Sequence, residues 1–282
     1  MSSNQRTIVS FHAHPDDEAS KGAATIAKYA AEGVRAVLVT ATGGEEGEFL
    51  NPAFKDRDPE ELPELRLKEL ARSAEVIGYS EVELLGFRDS GMPNSPANSH
   101  PNCFGAVELE VAVRPLVAIL RRERPQVLIS YGAHQDSYPH PDHLRVYEVA
   151  KVARELAADA TFAPELGDPH WVQKWYWSLW VRARFEAIGA AIAAKGIELP
   201  FRMTERTGDD DLVTTRIDVS ATIEAGRAAL LAHETQVDPN SPFWFALSPD
   251  ELASIYPYEE YHLVDAPAGY LETDLFEGLE GS

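Results

Sequence analysis

With 282 residues, 44% of them hydrophobic, the chain can bury a full-sized core as one large α/β domain or as a domain with an appended lobe. Its net charge of −21, from 46 acidic against 25 basic residues, would repel nucleic acid, and no Lys/Arg cluster offsets it. No apolar run approaches the roughly 18 to 20 residues that a bilayer requires, the start MSSNQRTIVSF lacks the marks of a secretory leader, and the single cysteine, Cys103, fits a reducing cytoplasm.

The first half reads as alternating strands and helices. Thr7 to His14 is a β-branched and apolar run, and Asp17 to Glu32 carries Ala, Ile and Tyr at helical spacing before Gly33, a fitting C-cap. Arg35 to Thr42 is a second strand, leading into the loop GGEEGEFLNP; Glu64 to Ile77 is an amphipathic helix closed by Gly78, and Val82 to Phe87 a third strand. A Pro-, Asn- and Ser-rich loop precedes a helix from Val107 to Arg124, a fourth strand from Gln126 to Gly132, and, after AHQDSYPHPDH, a helix from His143 to Ala158. This alternation predicts a Rossmann-like, mostly parallel sheet with helices on both faces over residues 1–160. Residues 161–282 look like a smaller C-terminal lobe packed on that core and bordering the pocket. Its WVQKWYWSLW stretch holds four of the five tryptophans and reads as a strand whose rings serve the core or the interface between the two parts. Helices are expected at Arg182 to Lys195 and at Ala221 to His233.

One short recurrence points to chemistry. His14-Pro15-Asp16 ends the first strand and His140-Pro141-Asp142 lies in the loop after the fourth. Proline and aspartate are ordinary helix-start residues, but that does not account for His14, Asp17, His140 and His143. Right-handed crossovers give the strand order 3-2-1-4, which makes the first and fourth strands neighbours at a switch point, where α/β sheets bind ligands. Two imidazoles and one carboxylate with a position left for water form a catalytic zinc set, here His14, Asp17 and His143, with a single zinc expected; Fe(II) accepts the same donors. Asp16 then stands beside the metal as general base. On the opposite wall His140, oriented by Asp142, would stabilise an oxyanion and protonate a leaving amine. Such a set hydrolyses an amide. His12 alternates to the same side and reads as support for the ligands, His134 is undecided, and His100, His170 and His262 read as surface residues.

The motifs HAHPDDEASKGAAT, TGGEEGE, FLNP, LGFRDSGMP, YPHPDH and HETQVDPNSPFW together resemble the zinc-dependent LmbE-like and GlcNAc-phosphatidylinositol de-N-acetylase (PIG-L) superfamily, nearest its mycothiol S-conjugate amidase branch. The resemblance implies the same zinc, base and acid residues, adds Tyr138 as a mobile tyrosine beside the oxyanion, and places Glu48, Arg66 and Asp89 at the sugar–inositol part of a pseudodisaccharide thiol conjugate. Lys21 marks the amidase side. The implied function is hydrolysis of a mycothiol S-conjugate to a mercapturic acid and glucosaminyl-inositol, in thiol-based detoxification; the alternative is deacetylation of N-acetylglucosaminyl-inositol. The resemblance breaks at Ala133 to Ser137, where related sequences carry Asn-Gly-Gly. An Fe(II) oxygenase and a non-catalytic sugar-binding module are the readings from other classes, while a dinucleotide-dependent oxidoreductase lacks its G-x-G-x-x-G. Oligomeric state is left open.

Overall fold

The computed structural model describes residues 5–133, 138–199 and 208–279. Strand β1 (Thr7–His12), buried at every position, is the third strand of a seven-stranded sheet. Beside it on one side lies β2 (Arg35–Thr42), followed by β3 (Glu81–Phe87) at the edge. On the other side lies β4 (Val127–Ser130). All these pairs are parallel, and the order β3-β2-β1-β4 matches the right-handed crossover rule.

Period-2 alternation divides the strand residues between two cores. Val9, Phe11, Val37, Val39 and Leu128 pack on α4 (Leu109–Glu123) and α5 (Pro141–Ala158). Ile8, Ala36, Val127 and Ile129 face the opposite way, onto α2 (Ala23–Ala31) and α7 (Ile223–Ala232). Helix α3 (Leu62–Ile77) ends at Gly78, whose φ of 94° supplies the expected left-handed stop.

The helix expected from Asp17 to Glu32 is two helices, α1 (Asp17–Ser20) and α2, separated at Lys21–Gly22. Gly22 has a φ of 103°, and a Cβ there would lie 2.8 Å from the Tyr261 hydroxyl. A strand from the far end of the chain thus demands glycine at this position.

The residues after 160 extend the sheet, where a lobe packed upon it was expected. β5 (Lys174–Leu179) pairs parallel with β4, and β7 (Tyr258–Leu263) and β6 (Thr215–Asp218) continue antiparallel to the edge. Helix α6 (Arg182–Ala194) forms a small satellite core through Phe185, Ile188 and Ile192. Trp175 and Trp177 of the tryptophan-rich stretch pack into the core as expected, whereas Trp171, ahead of the strand, is exposed. Trp175 is buried, its Nε1 donating to Ser130 Oγ at 2.7 Å, and Tyr147 stacks on it and meets Trp177 edge-on. Cys103 is buried with its thiol on the Asn98 carbonyl. Among the described residues no helix is long and apolar enough to cross a membrane.

Candidate metal centre

The carboxyl ends of β1 and β4 bring both His-Pro-Asp copies to one crevice. His14 follows β1, Asp17 opens α1, and His143 lies in the first turn of α5. Asp17 Oδ2 lies 3.5 Å from His14 Nδ1 and 3.4 Å from His143 Nε2, and one donor atom from each of the three residues falls within 4.8 Å of the others. All three side chains are buried. Asp17 Oδ2 also accepts the His14 backbone N–H at 2.9 Å, while Oδ1 receives Lys21 Nζ at 2.5 Å. The Asp17 carboxylate is therefore fixed at both oxygens.

These side chains have the electrostatics of a cation site. Burial opposes charge on Asp17, but Lys21 and His143 hold its carboxyl well below the usual range. Burial pushes His143 down to about 4, so its ring is neutral and offers a lone pair. Burial also opposes charge on His14, yet Asp142, Asp17 and Asp89 hold it well above an ordinary imidazole. Asp142 and Asp89 lie against His14 Nε2, which leaves Nδ1, beside Asp17, as the atom a divalent cation can take. Two imidazoles and a carboxylate suit zinc or Fe(II), so the donors present fit a catalytic metal.

Asp16 stands beside the cluster with its backbone at φ 103°. Its carboxylate is more open than the ligands, with 29% of the side chain exposed, and lies 3.0 Å from Arg66 Nη2. Burial raises its pKa, and the Arg66 guanidinium opposes that rise. His140 faces the cluster from the other wall, its ring 4.5 Å from that of His14. It caps α5: Nδ1 accepts the Asp142 backbone N–H at 3.2 Å, which leaves Nε2 as the proton-bearing atom. Burial, with His14 nearby, lowers its pKa. Tyr138, 40% exposed, stacks on His140 at 5.9 Å and meets His143 edge-on at 5.1 Å.

The structure corrects one assignment outright. Asp142 was expected to orient His140, but its Oδ2 lies 3.2 Å from His14 Nε2, and Ser90 donates to it through both N–H and Oγ. It meets His14 at the nitrogen opposite the cluster, the place where a carboxylate usually supports a metal-binding histidine. The carboxylate nearest to His140 Nε2 in a charge pair is Asp89, at 3.9 Å.

The residues expected at the sugar divide. Glu48 is exposed on the loop after β2. Asp89 is buried between imidazoles, 3.5 Å from His14 Nε2, and accepts the Gly91 N–H at 2.8 Å. Burial works against its charge, and His14 holds its carboxyl below the usual range. Arg66 is buried and braces the turn at Pro15 and Asp16, donating to Gly44 O at 2.8 Å and to Pro15 O at 2.6 Å besides Asp16. Lys21 holds Asp17 and lies 5.9 Å from the Trp180 ring centre. His12 is buried behind the cluster, its Nδ1 3.0 Å from Tyr131 Oη, which also accepts the Ala13 N–H at 3.3 Å. Ser90, Tyr131, Ser73 and His233 were missed, although Ser90 and His233 lie inside quoted motifs. His134 and the divergent residues up to Ser137 lie outside the described residues.

Fold and site together define a hydrolase of amide C–N bonds built around a metal-competent histidine–carboxylate cluster. Residues 9–154 match the family described as GlcNAc-PI de-N-acetylase. The chain is 39% identical over 288 residues to the 1D-myo-inositol 2-acetamido-2-deoxy-alpha-D-glucopyranoside deacetylase of Streptomyces avermitilis, covering 97% of each. It is 37% identical over 290 residues to the mycothiol S-conjugate amidase of Streptomyces coelicolor, covering 98% of each. Most of the similar curated relatives carry the first name. Among solved structures, the N,N'-diacetylchitobiose deacetylase of Pyrococcus horikoshii superposes with a TM-score of 0.65 at 18% identity, over 92% of this chain and 84% of that one. The protein belongs to the GlcNAc-PI de-N-acetylase family.

Proposed function

We propose that the protein is a metal-dependent N-deacetylase that removes the acetyl group of N-acetylglucosaminyl-inositol. The observation that carries the chemistry is the buried His14–Asp17–His143 cluster flanked by Asp16 on one side and His140 on the other. The S-conjugate amidase placed first on sequence grounds yields to the deacetylase because the full-length relatives predominantly bear that name.

In this reading His14, Asp17 and His143 would hold one zinc, with Fe(II) as the other candidate. When bound, the ion supplies acidity to a water and polarises the acyl oxygen. Asp16, whose anionic form Arg66 favours against the opposing effect of burial, takes the proton from the attacking water. As the C–N bond breaks, the proton taken up by Asp16 passes to the departing nitrogen, while the neutral His140 ring donates from Nε2 to the acyl oxygen as charge builds there, leaving acetate and the free amine. Tyr138 sits over His140 where an oxyanion would form, and Glu48 is the exposed group on the loop that would meet the sugar–inositol. The substrate is a small soluble pseudodisaccharide, and the cytoplasm its compartment.

A second reading, amide hydrolysis of a mycothiol S-conjugate in detoxification, is favoured by one observation. Lys21 approaches Trp180, which with Phe185, Phe243 and Trp244 lines an apolar cavity. Such a wall suits a substituent larger than acetyl. Turnover of N-acetylglucosaminyl-inositol against that of a mycothiol bimane conjugate, on zinc-loaded protein, decides. A higher kcat/KM for the acetylated sugar is expected; preference for the conjugate selects the second reading, and hydrolysis of neither sinks both.

A further inference from the structure

The motif HETQVDPNSPFW begins with a histidine that no step above uses. His233 follows α7 and is fully buried, and its Nε2 lies 2.5 Å from Glu18 Oε1. Ser73 of α3, also fully buried, donates its hydroxyl to the same oxygen. The other oxygen, Glu18 Oε2, accepts the backbone N–H of Asp16 at 2.9 Å. Three elements distant in sequence thus converge on one carboxylate, and that carboxylate grips the residue beside the metal cluster.

Two unfavourable features meet at this connection. Asp16 is a non-glycine residue in left-handed backbone, which persists only where its surroundings enforce it. His233 Nδ1 is buried with no hydrogen-bond partner among the described residues, an arrangement that apolar packing would avoid. A pair retained only for stability would be better replaced by hydrocarbon. The same segment is clamped along its length: Thr235 donates to both oxygens of Glu69, at 2.8 and 2.7 Å, and its carbonyl receives the N–H groups of Leu50 and Asn51. His233 therefore reaches Glu18 from a rigid mount.

We propose that His233 and Ser73 are positioning residues that act through Glu18 to hold Asp16 in its left-handed turn, aiming its carboxylate at the reacting water. This rests on the reading of Asp16 as the general base. Misplacing a reacting group by about an ångström costs on the order of 100-fold in rate. For His233→Ala we expect kcat on the hydrolysed substrate to fall about 100-fold, with KM within about threefold and zinc content unchanged. His233→Gln, whose amide can donate to Glu18 in place of the imidazole, should recover most of that loss. A crystal structure of His233→Ala should show the Asp16 carboxylate displaced from Arg66 while His14, Asp17 and His143 keep their places. An alanine variant with kcat within threefold of wild type, a glutamine variant no better than alanine, a loss traced to zinc content, or an undisplaced Asp16 each overturns the proposal. Should His233→Ala fail to fold, Ser73→Ala is read instead: a fall in kcat of about tenfold at constant KM supports it, and no change refutes it. If wild type hydrolyses no substrate offered, the proposed reaction fails, and displacement of Asp16 in the crystal still decides the positioning.

Discussion

Asp142 faces His14 across 3.2 Å, and Ser90 holds both of its oxygens in turn. With His14 Nδ1 toward the cluster, the carboxylate at Nε2 selects the tautomer, aligns the ring and raises its donor strength. Asp142→Asn preserves volume but sets an amide where an anion stood. Zinc affinity, followed by competition with a chromogenic chelator, is expected to fall about 10- to 100-fold, with most activity returning at saturating zinc. Unchanged affinity together with a collapsed kcat would return Asp142 to the acid-orienting role that its place in the His-Pro-Asp motif first implied. The motif shows which residue types gather at the strand ends. Which imidazole a carboxylate meets depends on how two loops cross, and spacing along the chain carries no record of that crossing.

The same distinction governs the elements. Apolar alternation marks β1 and β2, and left-handed glycine marks the end of α3, because those signals are local. The break between α1 and α2 was not legible, since Ala-Ser-Lys-Gly-Ala is compatible with helix and only the approach of Tyr261 forbids continuation. Arg66 was read as a ligand contact for a related reason: its partners are backbone carbonyls from two other loops. Those partners make the glycine-rich turn after β2 testable. A Cβ on Gly44 would fall 2.3 Å from Arg66 Nη1, and a free guanidinium would swing aside, but this one is buried and tied to Pro15, Gly44 and Asp16. Gly33, also at positive φ, has nothing within 4 Å of its Cβ position. Gly33→Ala should therefore cost only the backbone term, about 1 kcal/mol. Gly44→Ala should cost roughly 3 kcal/mol or more, because it also strands a buried guanidinium. Urea unfolding of both variants measures the difference, and equal losses would show that Arg66 can leave its socket freely.

At the scale of the molecule, the sequence pattern divides the chain near residue 160, whereas the sheet crosses that point without interruption through β4 and β5, from Val127↔Lys174 to Ser130↔Trp177. The loosened periodicity after 160 reflects short antiparallel strands on the rim of a large sheet, which carry a weaker pattern than helix-covered parallel ones. Tyr147 of α5 packs between Trp175 and Trp177, and the His233–Glu18 contact ties the segment after α7 to the turn that carries Asp16. We propose that the two parts therefore unfold as one cooperative unit, and the placement of natural probes allows a direct check. The metal-competent donors come from residues 14, 17 and 143, while all five tryptophans lie at or beyond residue 171. Zinc at 100 times its Kd stabilises a folded state by about 2.7 kcal/mol, worth roughly 5 to 10 °C in Tm for a chain of this size. In a single unit, zinc added to metal-free protein must raise the tryptophan-fluorescence midpoint as far as the far-UV circular dichroism midpoint, although no tryptophan touches the ion. If the fluorescence transition stays fixed while the dichroism splits in two, the halves fold separately, and the continuous sheet is then a docking of two domains.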